Sequence, residues 1–259
     1  MRLEGKVAIV TGAGTGLGRA IAIMFAREGA KVTLNGRRAE PIEKAAAEIA
    51  RAGGTALACA GDATRAADVT TMVEATVRAF GRLDILVNNA GAAWGADFDE
   101  FPESGWDKVM DLNVKSLFFL TKALAKPLRA AASHERPAKV INIASVDGIF
   151  VNPQETYSYA ASKAAVIHLT RRMATRLIKD SINVTAIAPG AFSSDMNKAA
   201  RDHGDEVAKR IPAQRIGTDE DMAGVAIYLA SRAGDYVVGN TIAVDGGVVY
   251  ANAGLPVAG

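Results

Sequence analysis

The 259-residue sequence has a single cysteine, Cys59. That excludes a disulfide framework and any zinc site built on several thiolates. Its three histidines, His134, His168 and His203, stand in no His/Asp/Glu cluster with metal-ligand spacing, so no metal is expected and a metal hydrolase is disfavoured. No uncharged apolar run reaches the roughly 18 residues of a membrane span. The first residues, Met1 to Lys6, carry no apolar segment before a cleavage site, so they do not read as a signal peptide and a cytoplasmic location is expected. Charge of one sign is also lacking: 30 basic residues face 28 acidic ones, a net +2. Neither nucleic acid nor an anionic membrane is expected as a partner.

What is present is ordinary globular material, with 49% apolar and 22% charged residues. At about 150 residues per domain the length allows one large domain or two small ones. Short Val/Ile-rich runs alternate with longer Ala-rich amphipathic stretches. Strands are expected near 6–10, 31–34, 56–60, 83–88, 139–144, 182–188 and 241–244. Helical patterns lie near 17–28, 39–52, 66–80, 104–131, 155–179 and 219–231. Apolar runs without clean alternation suit strands covered on both faces. The pattern predicts an α/β fold with a doubly wound, seven-stranded parallel sheet and right-handed crossovers. No repeat, low-complexity tract or linker interrupts it, so 1–259 reads as one domain. The polar, irregular stretch from about 191 to 216 reads as a lid at the end of a strand. Beyond Asp245 the chain reads as a final turn and tail, with Gly254 and Pro256.

After the first strand comes Thr11-Gly12-Ala13-Gly14-Thr15-Gly16-Leu17-Gly18, and then an amphipathic helix. A strand, a Gly-rich turn and a helix N-terminus make an anion site. Backbone N–H groups and the helix dipole face a pyrophosphate there, and glycines let the chain come close. The spacing is G-x-x-x-G-x-G on Gly12, Gly16 and Gly18. Without a ligand the same residues make only a tight turn.

Further along, Tyr159 and Lys163 stand four apart in a helical stretch and share one face. A phenol has an unperturbed pKa near 10. A neighbouring ammonium favours phenolate and brings it toward working pH, so that Tyr159 can exchange a proton with an alkoxide. Ser145, at the end of the fifth strand, can polarise a carbonyl. Tyr157 has Ala161 four residues on, not a lysine, and falls on the substrate side.

Taken in order, these motifs resemble the short-chain dehydrogenase/reductase family. Thr11 to Gly18 matches its T-G-x-x-x-G-x-G. Asn88-Asn89-Ala90-Gly91, Ser145, Tyr159-x-x-x-Lys163, Pro189-Gly190 and Asp245-Gly246-Gly247 follow at the family's places. The stretch from Trp94-Gly95 through Gly105-Trp106 to Met110 is most similar to bacterial β-ketoacyl (3-oxoacyl) reductases, including the rhamnolipid-pathway kind. The resemblance implies a single Rossmann domain with strand order 3-2-1-4-5-6-7. It makes Asn113, Ser145, Tyr159 and Lys163 catalytic, with Asn113 holding a water in a proton relay to Lys163 and Lys163 also on the nicotinamide ribose. Cofactor contacts follow at Gly12, Thr15, Gly16, Leu17 and Gly18, and at Asp62 for the adenine with Ala63 supplying backbone. They continue through Asn89, Ala90, Gly91, Pro189 and Gly190, and end at Ser194 for the carboxamide.

NAD-selective relatives place an aspartate about where Gly36 stands, and Arg37-Arg38 follow it here. Guanidinium matches phosphate geometry. NADP(H) is therefore expected, with Arg37 as the first phosphate ligand and Arg38 the second, and NAD(H) as the lesser option. Thr15 stands where NADP-preferring relatives often carry a basic residue. The substrate pocket is expected around Trp94, Val146, Tyr157 and Phe192. Trp94 either stacks on a substrate ring or plugs the sheet edge. Asp147 binds a polar substrate group or caps the turn before Gly148. The expected activity is NADP(H)-dependent interconversion of a ketone and a secondary alcohol, of the 3-oxoacyl reductase type. The alternatives are a polyol, gluconate-type or alicyclic alcohol dehydrogenase, and a catalytically silent nucleotide-binding protein. A homotetramer is implied by resemblance.

Overall fold

Runs of β-branched residues too short for helices set the strands, and the computed structural model describes residues 1–251. Gly254 and Pro256 lie outside them. From the N-terminus the chain forms β1 (Val7–Thr11), α1 (Gly16–Arg27), β2 (Lys31–Gly36), α2 (Ala39–Arg51), β3 (Thr55–Ala60) and α3 (Ala66–Phe80). Next come β4 (Ile85–Asn88), α4 (Glu103–Met110), α5 (Ser116–Ala131), β5 (Ala138–Ile143), α6 (Tyr157–Leu177) and β6 (Ile182–Pro189). The last elements are α7 (Lys198–Asp202), α8 (Gly204–Ala208), α9 (Asp219–Ala230) and β7 (Thr241–Val244).

The strands form one seven-stranded parallel sheet in the order β3-β2-β1-β4-β5-β6-β7. Two buried clusters cover its faces. One packs Ile21 and Phe25 of α1, Ile42 and Ile49 of α2 and Met222 and Ile227 of α9. The other packs Met72 of α3, Leu120 and Leu124 of α5 and Val166 and Met173 of α6. The central strands β1, β4, β5 and β6 are buried along their whole length, as the unbroken apolar runs require.

The order reverses between β1 and β4. In such a sheet the crevice outside the carboxyl ends at the reversal is where ligands bind. Polar side chains tie the halves together there. The Thr11 hydroxyl accepts from both Asn89 N and Ala90 N at 3.0 Å. One layer deeper, Asn88 Nδ2 donates to Asn142 Oδ1 at 2.8 Å, and Asn142 Nδ2 to Thr170 Oγ1 at 2.8 Å. These pairs lock β4, β5 and α6 in register beneath the site.

The stretch expected as one helix over 104–131 is three pieces. Between α4 and α5, Asp111–Lys115 form a π turn. Its residues are compatible with an α-helix, and the cause lies in tertiary structure. Asn113 Oδ1 accepts from Ala92 N at 2.8 Å and its Nδ2 donates to Ala92 O at 2.9 Å. That two-point clamp on a neighbouring loop holds the widened turn.

Candidate active site

The turn after β1 needs glycine at two places. Gly12 has φ +63° and Gly16 φ +53°, in the left-handed region. A Cβ on Gly12 would meet Asn89 Nδ2 at 2.8 Å, whereas one on Gly16 would meet only Ser194 Cβ at 3.6 Å. Gly12 is therefore a tight packing position, and Gly16 lines the cleft with only an ordinary contact to Ser194. Gly18 is buried, and its Cβ would meet Gly12 O at 2.4 Å, so it brings helix and turn together and does not line the cleft.

A cleft of about 990 Å³ opens above this turn. Along one arm lie Thr15, Gly16 and Leu17, then Arg37 and Arg38 at the end of β2, and Asp62 and Ala63 after β3. Both arginines are exposed, and neither forms an ion pair among the described residues. Asp62 accepts from Thr64 N at 2.9 Å and Thr64 Oγ1 at 2.7 Å. The bonds to Thr64, with Arg37 and Arg65 nearby, bring its carboxyl below the ordinary range against the cost of burial. In mid-cleft lie Asn89, Ala90 and Gly91, and across from them Pro189, Gly190 and Ser194. The Ser194 hydroxyl accepts from Asn197 N at 3.1 Å, at the start of the excursion that carries α7 and α8.

The other arm holds Ser145, Tyr159 and Lys163 together. Lys163 is buried and its Nζ donates to Ile143 O at 2.8 Å. It lies 5.4 Å from the centroid of the Tyr159 ring. Burial brings the lysine down to about 8, against the pull of Asp147. Burial likewise pushes the Tyr159 phenol up to about 12; a hydrogen bond with Ser145 opposes this and Asp147 adds to it. The ammonium was expected to bring the phenol down. It sits over the ring, bonded to a carbonyl, and desolvation wins. At neutral pH the pair therefore stands as phenol and ammonium, the form that donates a proton.

Asn113 lies just behind this group, outside the cleft lining. A Cβ on Gly91 would be 3.3 Å from its Oδ1 and 3.7 Å from Lys163 Nζ. Its amide also donates to Ser162 Oγ at 2.9 Å, and Ser162 donates to Tyr159 O at 2.7 Å. Ser162 sits inside the Tyr159–Lys163 motif, but spacing alone gave it no part. Thr11 opens the T-G-x-x-x-G-x-G motif, and its bonds to Asn89 and Ala90, 78 and 79 residues away, follow only from the pairing of β1 with β4.

Of the four expected substrate contacts, Val146 and Phe192 line the cleft and are buried. Trp94 and Tyr157 do not line it. Trp94 lies flat on α4, where a Cβ on Gly105 would stand 2.8 Å from its ring, and Lys108 Nζ is 5.2 Å from the ring centroid. Tyr157 packs edge-on to Phe98 at 5.6 Å and Phe101 at 5.7 Å. The cleft wall is completed instead by Phe150, Met196 and Val207, with Asn152, Gln154 and Lys198 at polar positions. Asp147 also lines it. The turn before Gly148 is capped by Ser145, whose Oγ accepts from Asp147 N at 3.2 Å, and not by Asp147. Among the described residues no group of three or more His, Cys, Asp or Glu side chains is placed to hold a metal, and no helix is long and apolar enough to cross a membrane.

A Rossmann sheet with a phosphate turn on one side of its reversal point and a Ser/Tyr/Lys group on the other defines a nicotinamide-dependent oxidoreductase acting between CH–OH and C=O. Comparison with known proteins makes this specific. The family model for short chain dehydrogenase matches residues 6–205, and the chain belongs to that family. It is 42% identical over 248 residues to the rhamnolipids biosynthesis 3-oxoacyl-[acyl-carrier-protein] reductase of Pseudomonas aeruginosa, covering 95% of this chain and 96% of that one. It is 41% identical to the 2-dehydro-3-deoxy-D-gluconate 5-dehydrogenase of Dickeya dadantii, with the same two coverages. Among solved structures, an NADP active-site complex from Pseudomonas aeruginosa superposes with a TM-score of 0.91 at 42% identity, covering 95% and 97% of the two chains. A gluconate 5-dehydrogenase of Burkholderia cenocepacia, in complex with NADP and tartrate, gives a TM-score of 0.88 at 34% identity and 95% and 96% coverage.

Proposed function

We propose that the protein is an NADP(H)-dependent carbonyl reductase of the 3-oxoacyl type. The observation that carries this reading is the grouping of Tyr159 with Ser145 and Lys163 in one cleft whose lining includes Val146, Phe150, Phe192 and Met196. The cradle suits the cofactor: Gly16, without a side chain, lines the cleft at the helix N-terminus, and Arg37 and Arg38 line it where a 2′-phosphate would sit. NADPH, when bound, supplies the hydride. Ser145 donates a hydrogen bond to the substrate carbonyl, whose carbon gains the hydride. The C=O electron pair becomes an alkoxide and takes the proton of the Tyr159 O–H. Lys163 stabilises the tyrosinate that remains. Asn113, held by Ala92 and Ser162, keeps a proton path open behind Lys163. Asp62 and Ala63 bind the adenine end, Asn89 to Gly91 support the ribose side, and Ser194 with Pro189-Gly190 holds the nicotinamide end. The stretch 191–216 closes over the substrate as a lid on a single domain.

A gluconate-type dehydrogenase is the second reading, favoured by the polar Asn152, Gln154 and Lys198 in the same cleft. We place the protein in the cytoplasm and read it as a homotetramer. Replacing Tyr159 by Phe should cut ketone reduction by at least about a thousandfold while NADPH binding, followed by fluorescence, is retained. Activity unchanged in that variant would sink the mechanism. A panel of 3-oxoacyl thioesters and keto-sugar acids would separate the two substrate readings.

A further inference from the structure

The short turn Val146–Gly148 brings a charge into the cleft that the family motifs do not include. It starts at Ser145, whose hydroxyl accepts from Asp147 N. Its other end is pressed against α6. A Cβ on Gly148 would stand 2.5 Å from Lys163 C and 2.7 Å from Ala164 N. These are backbone atoms, so the turn has no room to swing. Asp147 is thereby fixed between Ser145 and the helical turn that presents Tyr159 and Lys163, and it lines the same cleft as all three.

Among the described residues, the charges facing the phenol come from two elements. Lys163 comes from α6 and Asp147 from the turn; Ser145, at the end of β5, adds an uncharged hydroxyl. The Asp147 carboxyl is pushed up by burial, and drawn down by a hydrogen bond with Asn152 and by Lys163. In return it holds protons on both Tyr159 and Lys163. A negative charge beside a proton donor opposes the step that makes the donor an anion.

We propose that Asp147 is a positioning residue that keeps the protons on Tyr159 and on Lys163 and so extends to alkaline pH the range over which the site reduces carbonyls. It acts through these two side chains and need not touch the substrate. The inference rests on Tyr159 as the proton donor, but it is testable without any substrate.

Asp147→Asn removes the charge and keeps the shape, while Asp147→Glu keeps the charge. Tyrosinate absorbance is read after a stopped-flow jump to about pH 11, before the protein unfolds, and each protein is compared with its own Tyr159→Phe partner. A drop of about one unit at Tyr159 in Asp147→Asn gives about fivefold more tyrosinate than in the wild type, and Asp147→Glu stays near the wild type. The alkaline limb of kcat/KM for ketone reduction, set first by Lys163, also moves down in Asp147→Asn alone, because Asp147 holds that proton as well. Equal tyrosinate in the wild type and in a folded Asp147→Asn overturns the proposal. Should Asp147→Asn not fold, Asp147→Ser carries the same comparison. A fivefold rise in a protein that reduces no ketone would support the hold of Asp147 on the proton and overturn the functional reading instead.

Discussion

Single residues set which nicotinamide enters and which way the proton moves. Gly36 ends β2 without a carboxylate, and Arg37 and Arg38 line the cleft beside it. Arg37 is near enough to Asp62 to draw its carboxyl down, which puts the guanidinium on the same arm of the cleft as Asp62. A charge-assisted bond to a 2′-phosphate is worth more than a neutral one. Arg37→Ala should therefore raise KM for NADPH about tenfold, roughly 1.4 kcal/mol, and leave KM for NADH within about twofold. Steady-state kinetics with both cofactors checks this. A wild type that prefers NADH by tenfold or more would sink the assignment. The motifs made these arginines legible, because their place follows directly from the end of a strand. Trp94 and Tyr157 were not legible in the same way. Both sit in or beside a loop, and their directions are set by packing on Gly105, Phe98 and Phe101, which residue spacing does not reveal.

Among the elements, all seven strands could be read from apolar runs; the central four, buried on both faces, have no other pattern, and the edge strands β3 and β7 keep theirs while only partly buried. The longer helices could be read too, apart from the π turn at 111–115, whereas the short α7 and α8 fall in the stretch read as an irregular lid. Nothing in Asp111-Leu112-Asn113-Val114-Lys115 favours an extra residue per turn; the clamp on Ala92 does. The turn at 146–148 was equally hidden. Its geometry is dictated by the backbone of α6, and Gly148 is the residue that permits the contact. Gly148→Ala places a methyl against atoms that cannot yield. Overpacking of this kind costs about 2 kcal/mol. At this size that lowers Tm by about 4–8 °C. Because Ser145 and Asp147 ride on the same turn, kcat should fall with it while KM for NADPH, bound on the other arm, changes little. A Gly148→Ala protein with wild-type Tm and kcat would mean that the turn is free to move, and would remove the geometric basis for fixing Asp147.

At the scale of the whole molecule, several large apolar side chains remain exposed among the described residues, and two sets of them lie outside the cleft lining. One lies on α4 and α5, where Trp106, Phe118 and Phe119 are 42%, 40% and 53% exposed. The other lies on α9 and the approach to β7, with Tyr228, Tyr236 and Val238. A monomer seldom exposes contiguous apolar patches without a use for them. One self-complementary patch gives a two-fold dimer, and two separate patches on the same chain give a tetramer with dihedral symmetry. The Phe118–Phe119 pair, edge-on at 5.3 Å with Lys122 Nζ 5.8 Å from the Phe119 ring centroid, is the strongest anchor in the first group. Phe119→Glu would place a charge at the centre of that contact, and a carboxylate buried without a partner is costly. Light scattering should give four times the 27.0 kDa chain mass for the wild type and half of that for Phe119→Glu, with folding retained. A wild-type mass of one chain would overturn the tetramer. A variant that remains tetrameric would move the interface away from α5. The π turn and the clamp at Asn113 lie between α4 and α5, so an interface on those helices would brace the wall behind Lys163. Dissociation in Phe119→Glu should therefore lower kcat as well as mass, and ketone reduction measured on the same sample shows whether assembly and chemistry are coupled.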